Sequence, residues 1–433
     1  MNMETTTIPK LLLKMSPPIM LALLIQAIYN IADSFFIAQY SPEGLTALSI
    51  IYPIQLLITA LATGTGAGVN ILISRFDGKG KTKEQHHVIK SGIILNLIHF
   101  VVFAIISNLL AKAYFDISTD NGMIKAQGIL YIRIVFSASL GLFIEAICTK
   151  ILQARGNMVI PMCAQITGAM INIILDRILI FGLIGIRPLG MTGAAIATVI
   201  GQWIAMVITF IAVIKKYSLK GQFQLGMCQQ IYANGIGSIV TQSLYTLYIV
   251  GLNMILKTFT EDAVTVLGIY YKIQTFFFIP LLGFQQVILP LVSYNYGAGN
   301  KARNKEVFRY SICFAVSVMA VVTIIFFLFP KKLVGIFSQN KAIVLIGTYA
   351  FPVISISFIF AGIVIVTTAY LQGIARVKTS LFIIVLRQIF LLVPVAWILH
   401  FAGLKAVWWT FPITEIIAAV VGMMSLRKTL FKK

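Results

Sequence analysis

Residues 23–37 read LLIQAIYNIADSFFI. Leucine, isoleucine and phenylalanine dominate, yet Gln26, Tyr29, Asn30 and Asp33 interrupt them at i, i+3, i+4 and i+7. That spacing predicts a helix with all four polar side chains on one face. An apolar segment of this length with an embedded carboxylate is a membrane span with a polar stripe, and the stripe needs a function or a partner.

The whole chain agrees with that reading. Its 433 residues are 59% hydrophobic and only 11% charged, with a mean hydropathy of +0.94. A soluble domain carries about 25% charged residues. Repeated apolar runs of roughly 20 residues point to spanning helices rather than a barrel. The N-terminal segment before Pro17 carries Glu4, Lys10 and Lys14 and is followed by a full-length span without a small-residue cleavage site, so no removable signal peptide is expected.

Hydropathy places twelve spans, at about 17–39, 47–74, 88–111, 123–149, 160–183, 191–214, 233–256, 264–294, 307–329, 343–371, 380–400 and 405–426. With the N-terminus inside, the inward segments hold 22 Lys and Arg and the outward segments eight; Arg133, Arg177, Lys272 and Arg387 fall within spans. This bias predicts cytoplasmic termini. The net charge of +21 is thus mainly a topology signal, and nucleic acid is not an expected partner.

The halves repeat at an offset of 219. ISRFDGKGK (73–81) aligns with VSYNYGAGN (292–300), matching Ser74 with Ser293, Gly78 with Gly297 and Gly80 with Gly299; Leu152-Gln153 aligns with Leu371-Gln372, and Tyr29 with Tyr248. Six spans per half is an even number, so both halves enter from the same side. The expectation is an all-α integral membrane protein with twelve transmembrane helices in two six-helix lobes, related by a pseudo-twofold along the membrane normal. Residues 1–216 form the N-lobe, 217–232 a basic cytoplasmic linker and 233–433 the C-lobe. Two lobes around a cleft suit alternating-access transport.

Enzyme chemistry finds little material. His86, His87, His99 and His400 have no ligand spacing, and Cys148, Cys163, Cys228 and Cys313 stand singly in apolar surroundings, so neither a metal motif nor a disulfide framework is expected. Among thirteen acidic residues, only Asp33, Glu145, Asp176 and Glu415 lie inside spans. An acid at a span centre costs roughly 2.5–3.5 kcal/mol and so needs a proton, a partner or a cavity. Asp33 ends the opening stripe, and Asp176 follows Asn172 by one turn. At the 219 shift these acids fall on Leu252 and Val395, so a purely architectural need, which would recur in both lobes, is disfavoured. Carboxylate and amide oxygens suit a hard cation such as Na⁺, or H⁺, and predict ion-coupled antiport. Glu145 and Glu415 are read as structural.

The segments NIADSFFI, NIILDRILIFG, GMTGAAIAT, PLVSYNYGAGN and VLRQIFLLVP together resemble the multidrug and toxic compound extrusion family, over essentially the whole chain. The resemblance implies a monomeric bacterial plasma-membrane exporter of lipophilic or cationic small molecules, driven by H⁺ or Na⁺ and using no cofactor. It implies a cation-coupling site at Asp33, Asn172, Asp176 and Thr198, which is also the expected place for any Na⁺. Gln285 matches a place where related proteins carry a carboxylate. The family's usual Asp-Pro reads Asp176-Arg177 here, which should keep the helix straight and adds a charge. For the substrate cleft, the polar and aromatic residues Gln26, Tyr29, Asn30, Tyr245, Gln274 and Gln285 are expected to contribute. The alternative is a flippase or exporter of a lipid-linked or anionic envelope metabolite, using the embedded cations.

Overall fold

A computed structural model of the chain describes residues 3–183, 185 and 187–430. Among them, nine helices are long and apolar enough to cross a bilayer, and three further bent pairs bring the number to twelve. The first seven helices are α1 (Ile8–Tyr40), α2 (Pro42–Gly78), α3 (Thr82–Ser118), α4 (Gly122–Ser137), α5 (Leu140–Ala154), α6 (Val159–Phe181) and α7 (Met191–Lys216). Next come α8 (Leu225–Lys257), α9 (Glu261–Phe277), α10 (Ile279–Gly297), α11 (Lys301–Leu328), α12 (Pro330–Gly335), α13 (Lys341–Ser355) and α14 (Ser357–Gly373). The chain closes with α15 (Val377–Val385), a π-helical turn (Leu386–Leu391), α16 (Leu392–His400), α17 (Leu404–Val407) and α18 (Thr410–Leu430).

Three expected spans are bent. α4 and α5 meet at 47°, α9 and α10 at 53°, and α13 and α14 at 44°. Prolines lie near two of the breaks. Pro280 occupies the first turn of α10, and Pro352 sits inside α13; proline removes a ladder hydrogen bond and crowds the preceding turn. At the α4–α5 break, Ser139 Oγ donates to the carbonyl of Phe136 at 2.8 Å, and at the α13–α14 break Ser357 Oγ donates to that of Ile354 at 2.6 Å. These serines answer carbonyls that the bend releases.

The chain divides into two compact units. The first runs from Pro17 to Ile239; the second contains Val240 onward together with the N-terminal segment through Ser16. The boundary therefore lies within α8, not in the 217–232 segment that its basic composition marks as a linker. Residues from Leu225 onward are already helical, and the stretch before them is tied to α3: Gln222 N–H donates to His87 Nδ1 at 2.9 Å and Gln224 N–H to Ser91 Oγ at 3.1 Å. Within the second unit, Arg303 donates to the carbonyls of Met3 (2.9 Å) and Thr6.

The internal repeat reaches the level of single hydrogen bonds. In the first unit, Ser74 Oγ donates to the carbonyl of Ala154 at 2.9 Å; in the second, Ser293 Oγ donates to that of Gly373 at 3.4 Å. Both members are displaced by 219 residues. The turns repeat as well, Gly80 and Gly299 having φ of +67° and +71°, and Gly156 and Ala375 +76° and +64°.

The first unit packs around Ile51, Phe115, Tyr131 and Phe143, the second around Phe326, Phe351, Phe358 and Tyr270, whose rings meet at 5.0–6.3 Å. Large apolar side chains such as Leu109, Phe390 and Ile398 face outward, as a bilayer solvent requires.

Ala375 is the one non-glycine residue at positive φ among those described. A Cβ in this left-handed region costs roughly 1–2 kcal/mol, which glycine avoids. Ala375→Gly should therefore stabilise the protein by about 1 kcal/mol, and Gly156→Ala should destabilise it by a similar amount. Chemical unfolding in detergent micelles checks both; equal midpoints for the two variants would contradict the assignment.

Candidate functional site

The site is built where α6 and α7 come closest. A Cβ on Gly168 would lie 2.7 Å from the Gly201 carbonyl oxygen, and a Cβ on Gly201 the same distance from that of Gly168. No other residue allows this approach, and membrane helices commonly use small residues to achieve it. One turn farther along α6, Asn172 lies beside Thr198 on α7, and its Nδ2 reaches Thr198 Oγ1 at 3.5 Å. Another turn on is Asp176, which is fully buried. The helix stays unbroken through Asp176-Arg177 and ends at Gly182, whose φ of +75° forms a left-handed cap.

Asp33 arrives from α1, and its carboxyl group is within hydrogen-bonding reach of that of Asp176. Asp33 Oδ1 is buried with no hydrogen-bond partner among the described residues. Tyr131 on α4 completes the group: it is 1% exposed, and its hydroxyl is within hydrogen-bonding reach of the Thr198 side chain. Four helices thus bring two acids, an amide and two hydroxyls together. All four residues expected at the cation site from the resemblance are here, and Tyr131 joins them.

A cavity with about 650 Å³ of empty space, counting its open mouth, leads to this group. Asn172 and Thr198 line it, as do Gln26 and Tyr29 from the opening stripe; Gly168, Ala169, Gly201 and Ala205 supply a small-residue floor. Glu145 and Gln165 form another part of the wall. Glu145 Oε1 accepts from Thr149 Oγ1 at 2.7 Å and from Gln165 Nε2 at 3.4 Å. Asn30 is exposed and does not line the cavity, although it shares the sequence stripe. In the second unit, Tyr245 packs on Tyr248 and Tyr271 with centroids 5.4 and 6.0 Å apart, and Gln274 lines a smaller cavity. Gln285 lines neither cavity.

Arg177 is exposed and forms no ion pair among the described residues, so it does not neutralise Asp176. Arg133 and Lys272 are also exposed. Arg387 differs: Nη2 and Nε both donate to Glu415 Oε1, at 2.6 and 2.7 Å. Neither Tyr131 nor this pairing was legible in sequence. Tyr131 lies in GILYIRIVFS, where nothing separates it from an ordinary packing tyrosine, and Arg387 and Glu415 stand 28 residues apart.

A twelve-span helical bundle with an acid-lined cavity belongs to the class of multi-pass membrane transporters. The MatE family model matches residues 18–178 and 238–398, one match to each repeat. The chain belongs to the MatE family, whose members are transporters and not enzymes. It is similar to the multidrug export protein MepA of Staphylococcus haemolyticus, at 26% identity over 99% of this chain and 96% of that protein. It is also similar to the FAD transporter of Shewanella oneidensis, at 24% identity over 95% of this chain and 93% of that one. Among solved structures, a MATE transporter of Vibrio cholerae superposes with a TM-score of 0.92 at 20% identity, covering 98% of both chains. A MOP-superfamily transporter of Pyrococcus furiosus superposes with a TM-score of 0.89 at 24% identity, over 98% of this chain and 96% of that one.

The α6–α7 approach makes a sharp test. Gly201→Val would force the helices apart at 2.7 Å contacts, at an overpacking cost of roughly 1–3 kcal/mol. The expected result is a lower unfolding midpoint together with lost transport. Wild-type values for both would show that the close approach does not hold Asn172 against Thr198.

Proposed function

We propose that this chain exports lipophilic or cationic small molecules by antiport, with H⁺ or Na⁺ bound between Asp33 and Asp176 as the coupling ion. The observation that carries this reading is the contact between the two carboxyl groups inside a membrane span. Two ionised carboxylates cannot hydrogen-bond to one another; the contact needs a proton shared between them or a cation in its place. Asn172, Thr198 and Tyr131 add oxygens that can orient either occupant. Oxygen ligands without thiolate or imidazole suit a hard ion, and no cluster of three or more metal-ligating side chains exists among the described residues.

The energetics are sufficient for a pump. One charge crossing a potential of 100 mV gains about 2.3 kcal/mol. An ion that must sit between α1 and α6 also links that energy to the position of α1, because loss of the ion leaves two facing negative charges. Alternating access follows if the occupied and empty states favour different arrangements of α1. The names of the staphylococcal relatives support drugs as the substrate class, and Glu145 in the cavity wall supports cations among them. Expected orientation places both termini in the cytoplasm of a bacterial cell.

An anionic substrate, as the name of the Shewanella relative suggests for that protein, would need exposed positive charge in a cavity. Among the described residues, Arg387 is the one cation lining either cavity, and Glu415 holds it. The cation reading is therefore preferred.

Purified protein in proteoliposomes, loaded with ethidium and given an ion gradient, provides the test. Asp33→Asn and Asp176→Asn should each lower gradient-driven ethidium movement by at least about tenfold, the effect of removing roughly 1.4 kcal/mol of driving interaction, while leaving the folded yield unchanged. Undiminished coupled transport in both variants would remove this function. Comparing proton and Na⁺ gradients in the same vesicles identifies the ion.

A further inference from the structure

The second unit holds a polar site of a different kind. Tyr248, Tyr270, Tyr271, Arg387, Gln388 and Glu415 share one small cavity, closed on its apolar side by rings including Phe358 and Phe411. The tyrosines are in mutual contact, with centroids 5.1 Å apart for Tyr270–Tyr271 and 6.3 Å for Tyr248–Tyr271. Arg387 and Gln388 stand on the π-helical turn Leu386–Leu391, which separates α15 from α16. Such turns disrupt the regular helix ladder and occur often at functional sites.

The ion pair is lopsided. A guanidinium commonly grips a carboxylate with one donor on each oxygen. Here both donors, Nε and Nη2, converge on Glu415 Oε1. Glu415 Oε2 is buried with no hydrogen-bond partner among the described residues, and so is Gln388 Oε1. Both residues are 6% exposed and both line the cavity. Native structures leave few such acceptors unanswered, and each one calls for an explanation. What would answer these two is a hydrogen-bond donor, and the electron-rich faces of the tyrosines favour one that carries positive charge. Phe278, Phe358 and Phe411 make the rest of the wall apolar.

Arg387 is the more exposed partner of the pair. Its side chain is 24% exposed against 8% for Glu415. With Arg387 in place, the site carries no net charge and attracts a second cation weakly. With Arg387 withdrawn, it is a buried carboxylate ringed by tyrosines.

We propose that this cavity binds the N–H-bearing head of a cationic aromatic substrate, on Glu415 Oε2 and Gln388 Oε1 between tyrosine faces, with Arg387 as the internal competitor that the substrate displaces. The inference rests on the reading of the chain as an exporter of organic cations, and it gives the substrate a place in the second unit, separate from the Asp33–Asp176 group. A purely structural ion pair, by contrast, would tie α18 to the π-helical turn and discriminate between no ligands.

The two accounts differ in sign. Binding is measured with the purified full-length protein in detergent, using rhodamine 6G, a cation with N–H donors, and tetraphenylphosphonium, a cation with none. Glu415→Gln should weaken rhodamine 6G about tenfold, the size of one charge-assisted hydrogen bond. Arg387→Lys, which keeps the charge but loses the planar donor fork, should tighten it about threefold. Tetraphenylphosphonium affinity should change by less than about twofold in either variant. Because a lone buried charge can prevent folding, the neutral double variant Arg387→Gln/Glu415→Gln is measured alongside and should also bind rhodamine 6G about tenfold more weakly. Shifts in the same direction for both single variants, equal shifts for the two dyes, no change in the double variant, or no rhodamine 6G binding by the wild type would each overturn the proposal. Dye binding is read without an ion gradient, so failure of the coupling reading, seen with Asp33→Asn in vesicles, remains separate from failure here.

Discussion

The hydrogen-bond requirement of polar groups removed from water shapes this molecule throughout. Within a bilayer, an acid, amide or hydroxyl must be answered by another protein group, an ion or a proton. In the first unit the answer depends on how closely α6 and α7 approach. Gly168 and Gly201 allow the helices to meet at 2.7 Å from what would be a Cβ, and this fixes Asn172 against Thr198. Tyr131 then reaches Thr198 from α4, and Asp33 reaches Asp176 from α1. A bulkier residue at either glycine would separate the donors from the acids.

The two units share a scaffold and differ in what they bury. The same serine-to-carbonyl hydrogen bond closes corresponding corners, Ser74 to Ala154 and Ser293 to Gly373. Spans four and ten break within a residue or two of equivalent positions, whereas the break before Pro280 has no counterpart in the continuous α2. On this common frame the first unit holds two acids in contact, and the second holds an acid answered by an arginine among tyrosines. An acid pair responds to a proton or small cation, because the occupant removes a repulsion. An acid–arginine pair is already neutral, and responds only to a group able to compete with the guanidinium.

Much of the architecture was legible because a bilayer imposes simple rules. Runs of about 20 apolar residues, basic loops and a 219-residue repeat pointed to twelve spans in two halves, and the family match over 18–178 and 238–398 carries nearly the same offset. Boundaries were harder. Residues 217–232 look like a linker because they are basic and less apolar, but α8 begins at Leu225 and runs from one unit into the next. Composition reports exposure to water, and a solvated helix end has the same composition as a loop. Within the opening stripe, Gln26 and Tyr29 line the cavity while Asn30 does not, since a shared helical face spans about 100° and a cavity mouth is narrower.

From its residues alone, this chain was bound to be a membrane bundle with three acids embedded in its first half and one in its second, because hydropathy and the cost of a buried carboxylate are properties of local sequence. That Asp33 and Asp176 share one contact, that Tyr131 joins them, that Arg177 turns away and that Arg387 finds Glu415 were decided only in three dimensions. Each of those outcomes depends on the rotation of one helix relative to another, and that rotation is set by packing between residues far apart in the chain.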